Sequence, residues 1–158
     1  MSKPKWKVFL IWIALCELVG TVSGILSQKG IEVYNLSIMK PSFTPPSWLF
    51  PVVWTILFAL MGISAAKIYL SPASKERSAG LNLFIAQLVV NFFWPLFFFN
   101  LQAFGFSFFW LLLLWILVIL TALRFRKIDK CAGWLLVPYL AWLTFAAVLN
   151  GAVWFMNI

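Results

Sequence analysis

Few side chains in this sequence are equipped for chemistry, and most of those are aromatic or amide. The 158 residues include no histidine, which removes the commonest general base, metal ligand and pH switch. Cys16 lies in an apolar run and Cys131 in a basic stretch, so a disulfide between them is not expected. No paired carboxylates, Ser-His-Asp set, Cys/His metal cluster or phosphate loop can be found. What remains is 10 Trp, the amides Gln87 and Asn91, and one acid inside an apolar run, Glu17. Three tryptophans stand apart because each shares a helical face with small or polar residues. Trp54 lines up with Phe58, Met61 or Gly62, and Ala65; Trp94 with Gln87 and Asn91; Trp142 with Pro138, Ala146 and Leu149. Apolar walls with a few polar groups are what small-molecule pockets usually offer, so these indoles suit a flat, hydrophobic, partly polar ligand. Trp6, Trp12, Trp110, Trp115, Trp134 and Trp154 are accounted for as membrane belt and lipid-facing core.

The elements that must position these side chains are membrane helices. Hydrophobic residues make up 64% of the chain and charged ones 10%, with a mean hydropathy of +1.00. A soluble domain is nearer half apolar and a quarter charged, so the class is an all-α integral membrane protein, one domain over 1–158. Five apolar runs of spanning length fall at about 8–28, 48–69, 80–99, 106–123 and 133–156. The fold expected is a five-transmembrane-helix bundle. The first run is too long for the apolar core of a signal peptide. Its Gly20-x-x-x-Gly24 permits close helix approach. Glu17, at mid-depth, has two readings: a proton or ligand contact, or an acid hydrogen-bonded to a neighbouring helix. Gln87 and Asn91 have the same two: ligand contact or helix–helix bonding. Pro95 should kink the third span. The fourth span, rich in Leu, Trp, Phe and Ile, reads as lipid-facing and structural.

The net charge of +8 does not point to nucleic acid, because the basic residues sit between apolar runs rather than on one wet face. Of the 12 basic residues, only Lys29 and Lys40 fall on the side of the membrane opposite Lys3, Lys5 and Lys7. Positive-inside then puts the N terminus in the cytoplasm and the C terminus outside. Residues 29–47 form a long first loop, and its end, Lys40-Pro41-Ser42-Phe43-Thr44-Pro45-Pro46, is stiffened by proline. Pro45 or Pro46 suits the first turn of the following helix, with Thr44 or Ser47 as its cap. The loop would lie on the outer face as a lid over a pocket within the bundle.

These residues carry a family resemblance. Lys40-Pro41-x-Phe43-x-Pro45-Pro46-x-Trp48-x-Phe50-Pro51-x-x-Trp54-Thr55 through Met61-Gly62 resembles the signature of the translocator protein family, the TspO or tryptophan-rich sensory proteins, also known as peripheral benzodiazepine receptors. Gln87-Leu88-x-x-Asn91-Phe92-x-Trp94 and Pro138-Tyr139-x-x-Trp142-x-x-x-Ala146-x-x-Leu149-Asn150 resemble its third- and fifth-helix motifs. The resemblance implies a homodimeric receptor or transporter that binds protoporphyrin IX and related tetrapyrroles, and drug-like hydrophobic ligands, under the first loop. No cofactor is expected, and with no histidine to ligate iron the porphyrin is expected to bind metal-free. Ligand-binding positions carried over are Tyr34, Pro41, Phe43, Trp54, Phe58, Gln87, Asn91, Trp94, Trp142, Ala146 and Leu149. An alternative is light-dependent porphyrin degradation with Trp54 and Trp142 as its catalytic residues; another is a structural or regulatory membrane dimer. Two departures are visible. Val33-Tyr34 stands where the family has Trp-Tyr. The chain has neither Tyr nor Lys/Arg after Asn150, so cholesterol recognition is not expected.

Overall fold

The computed structural model describes residues 4–158; Lys3 of the basic head lies outside them. Among the described residues every regular element is helical. In chain order these are α1 (Lys5–Leu26), α2 (Gln28–Ser37), α3 (Leu49–Tyr69), α4 (Lys75–Pro95), a π-helical turn (Leu96–Asn100), α5 (Phe104–Ile128), α6 (Lys130–Leu135) and α7 (Val137–Met156). Five units are long and apolar enough to cross a membrane: α1, α3, α4 with its π turn, α5, and α6 with α7. This is the five-span all-α bundle expected from the hydropathy.

The boundaries differ where local chemistry outweighs hydropathy. The first loop is not all loop: Gln28–Ser37 forms α2, joined to α1 by the single residue Ser27. Ser27 Oγ donates to Ser23 O at 2.7 Å, so the corner satisfies itself. The third span starts before residue 80, because Ser74 caps α4 by accepting from Arg77 N at 3.0 Å. The fourth runs on to Ile128, so Arg124, Arg126 and Lys127 are helical, at the end where cations are favoured. Asp129 then caps α6, accepting from Ala132 N at 3.0 Å, and pairs with Lys67 at 3.6 Å. Neither Thr44 nor Ser47 caps α3. That helix begins at Leu49 with Pro51 in its first turn, where a missing N–H costs nothing.

Pro95 does alter its helix: the backbone passes there from α to a π turn. That turn receives α2. A Cβ on Gly30 would sit 2.6 Å from the Phe99 carbonyl carbon, so only glycine allows this contact. Asn100 Nδ2 donates to Leu26 O at 2.9 Å and closes the junction.

The bundle is solid at the end carrying most of the basic residues, called here the basic end. Ile68, Phe84, Phe125 and Ala132 are fully buried there, and Phe84 stacks on Phe125 at 5.9 Å. Gly62 lets α1 and α3 touch backbone to backbone, since a Cβ would lie 2.5 Å from Ile13 Cα. Ser64 Oγ reaches across to Ala132 O at 2.7 Å. The fourth span is not simply lipid-facing: Leu111, Leu114, Val118 and Phe125 of α5 belong to the core. Gly20-x-x-x-Gly24 divides its roles. Gly20 packs under the Phe58 ring, whereas a Cβ on Gly24 would meet nothing within 4 Å.

Candidate ligand-binding site

The opposite end of the bundle, beneath the Pro-rich loop, is hollow. A cavity of about 840 Å³ lies between α1, α3, α4, α5 and α7. That falls within the roughly 300–1,000 Å³ typical of small-molecule pockets. Thr44, Pro45, Pro46 and Ser47 roof it, Trp54 and Phe58 line it from α3, and Asn91 and Trp94 from α4. Trp142, Ala146 and Leu149 face it from α7.

Aromatic packing holds the wall in place. Trp54 lies 5.5 Å from Phe58 and meets Tyr139 edge-on at 6.2 Å. Trp142 meets Phe50 edge-on at 5.7 Å. Trp94 stacks on Phe98 at 4.9 Å. Hydrogen bonds set the helix register around it, since polar groups in a membrane need partners inside the protein. The Tyr139 hydroxyl donates to Gln87 Oε1 at 2.8 Å and accepts from Asn91 Nδ2 at 2.6 Å, tying α7 to α4. Trp94 Nε1 donates to Asn150 Oδ1 at 3.1 Å, and Asn150 Nδ2 donates to Phe104 O at 2.8 Å, which brings in α5.

The roof is tied down at several points. Met39 and Asn157 exchange two bonds, Met39 N to Asn157 Oδ1 at 3.2 Å and Asn157 Nδ2 to Met39 O at 2.9 Å. The loop is thus pinned to the end of α7. Thr44 Oγ1 donates to Pro41 O at 2.7 Å. Lys40 Nζ donates to Asn35 O and Ile38 O, each at 3.1 Å, and stands 5.0 Å above the Tyr34 ring. Tyr34 is clamped between Phe98 at 5.3 Å and Phe99 at 5.2 Å. Burial pushes its phenol up to about 12.

Residues 12–155 match the TspO/MBR family. The tryptophan-rich protein TspO of Chlorobaculum tepidum is 41% identical over 146 residues, 92% of either chain. The translocator protein of Ovis aries is 39% identical over 143 residues, 87% of this chain and 85% of its own. The tryptophan-rich sensory protein of Cereibacter sphaeroides is 35% identical over 146 residues, 92% of this chain and 88% of its own. The chain belongs to the TspO/MBR family. It is a multi-pass membrane protein of that family.

Against the TspO/MBR positions carried over from sequence, the structure brings Tyr34, Trp54, Phe58, Asn91, Trp94, Trp142, Ala146 and Leu149 to the one cavity. Pro41, Phe43 and Gln87 are not in its wall. Pro41 instead turns the loop, its carbonyl accepting from Thr44. Phe43 is 48% exposed and packs edge-on against Phe145 at 6.4 Å, outside the roof. Gln87 lies one turn toward the basic end from Asn91. Its side chain is taken up by Tyr139 and by Met61 Sδ at 3.9 Å, so it bonds helices rather than facing the hollow. Trp110 is more than belt, since its Nε1 donates to Val90 O at 2.8 Å and joins α5 to α4.

Of the α1 wall, only Glu17 stands out in the sequence, as one of two readings. Glu17, Thr21 and Gly24 of α1 line the cavity, as does Gln28 at the start of α2. The three in α1 recur at spacings of four and three, a helical face as regular as that of Trp54. The signal was legible but was masked by the apolar residues between them. Phe98 and Phe99 also line the hollow. Their π-turn geometry has no sequence marker beyond Pro95.

Proposed function

We propose that this protein is a membrane receptor or transporter whose capped cavity binds porphyrins and similar flat, hydrophobic molecules. One observation carries the reading: the indoles of Trp54, Trp94 and Trp142, from three different helices, line a single hollow beneath the Pro-rich roof. A flat macrocycle gains stacking area from such walls at little entropic cost, since the rings are already held by their neighbours. Lys40 has one N–H left over after its two carbonyl bonds, and it lines the same cavity. It would receive a carboxylate at the ligand's edge. The excess of basic residues at the N-terminal end supports an N terminus in the cytoplasm and a roof outside. Homodimerisation belongs to the same reading.

Titration of purified protein with protoporphyrin IX, followed by tryptophan quenching in detergent, tests the binding. Saturable 1:1 quenching at micromolar or lower concentration is expected. Linear quenching, equal to that of free tryptophan in the same detergent, would refute the reading.

A second reading, light-dependent breakdown of the bound porphyrin, is favoured by the presence of both Trp54 and Trp142 at the cavity wall. Product formation under illumination that disappears in Trp54→Phe and Trp142→Phe proteins still able to bind would select it. Equal product in both variants would remove it.

A further inference from the structure

Glu17 is one of two acidic residues within the five spans; Glu76 sits in the first turn of α4, at the basic end, whereas Glu17 lies well inside α1. It lies nine residues before the end of α1, so roughly 13 Å below that end at 1.5 Å per residue. It lines the cavity together with Thr21 and Gly24, from α1, which packs against α3 and α4. Among the described residues it enters no ion pair; the single pair there joins Lys67 to Asp129. Among the described residues no side-chain hydrogen bond engages its carboxyl either. The cavity's one ammonium, Lys40, is held at the roof by the Asn35 and Ile38 carbonyls. A carboxyl at membrane depth is costly without a partner, and such groups mark ligand or ion sites.

We infer that Glu17 is the anchor for a protonated nitrogen on the ligand, so that the cavity selects flat hydrophobic molecules bearing an amine or protonated imine over neutral molecules of the same shape. The inference rests on the cavity being a ligand site, and it adds a charge preference, beside porphyrin binding, that the aromatic walls do not impose. The neighbourhood suits it. Gly24 leaves open space beside the helix, and Thr21 offers a hydroxyl one turn from the carboxyl. Glu17 is half-buried at the cavity wall, and a charge-assisted hydrogen bond to a carboxylate is among the stronger single contacts available.

The test compares 1-pyrenemethylamine with 1-pyrenemethanol, which share one flat body and differ in charge. Binding is read from energy transfer out of tryptophan, in wild-type protein and in Glu17→Gln. Comparing the two proteins cancels the probes' different partition into detergent. The expected result is an amine-over-alcohol preference that falls roughly tenfold or more in Glu17→Gln, while the alcohol binds both proteins equally. Equal binding of the alcohol also shows that the variant has kept its cavity. An amine-over-alcohol ratio that is the same in both proteins would overturn the role of Glu17 and leave the cavity standing. If neither probe binds either protein saturably, the cavity reading fails and the anchor fails with it.

Discussion

The two ends of this bundle are built from the same stock of apolar and aromatic residues and come out opposite. At the basic end small residues bring helices together: Gly62 against Ile13, Ala65 and Ala66 fully buried, Ser64 bonded to Ala132. Helix association in a membrane depends on such close packing, because lipid tails are as apolar as leucine. At the roofed end large rings keep helices apart. Trp54, Trp94 and Trp142 are each buttressed by another ring, and the Tyr139 hydroxyl and Asn150 hold the helix spacing with hydrogen bonds. The lesson is that residue size and hydrogen bonding, not hydropathy, decide which half is solid and which is hollow.

That contrast can be broken first at the solid end. Phe84→Ala removes a ring with no exposed surface, stacked on Phe125 and touched edge-on by Trp12. A loss of about 3–5 kcal/mol is expected, seen as a large fall in the thermal midpoint in detergent. Porphyrin affinity of the protein still folded should change less than twofold, because the cavity is at the other end. At the boundary, Tyr139→Phe strands Gln87 Oε1 and Asn91 Nδ2 and should cost about 1–2 kcal/mol, measured by the same melt. A melt unchanged in this variant would mean that the hydroxyl does not set the spacing between α4 and α7.

At the hollow end the signature reverses. Gly24→Phe places a ring into open space, so the thermal midpoint should hold while affinity for protoporphyrin IX falls roughly tenfold through occlusion. The smallest effect concerns the roof. Tyr34 keeps its proton to about pH 12 in the folded protein, above the unfolded value near 10. Its contribution to stability is therefore complete below pH 10 and is lost as pH rises toward 12. A melt series across that window should show a decline that is shallower in Tyr34→Phe.

Much of this arrangement is visible in the amino-acid order, and the failures have physical causes. Five spans follow from apolar length alone. The helical spacing of Trp54 with Phe58, and of Asn91 with Trp94, put those faces inward as found. Motif resemblance could not separate residues that shape the cavity from residues that face it. Gln87 and Pro41 hold neighbours in place, and Phe43 packs on the outside of the roof. Helix α2 was hidden because Lys29, Gly30 and Glu32 give a polar stretch with no apolar periodicity, and its stability comes from docking on the π turn. The basic ends of α4 and α5 are longer than hydropathy alone indicates, because helix termini tolerate charge well.

The central claim is that the hollow under the roof, and not the lipid-facing surface, is where a flat ligand sits. A second, shallower apolar groove between α3 and α7, lined by Val53, Leu60 and Phe145, is the natural competitor. An experimental structure of the protein with protoporphyrin IX decides between them most directly. The macrocycle is predicted to contact the rings of Trp54, Trp94 and Trp142 beneath Pro45, and density for it in the outer groove, with the hollow unchanged, would contradict the claim.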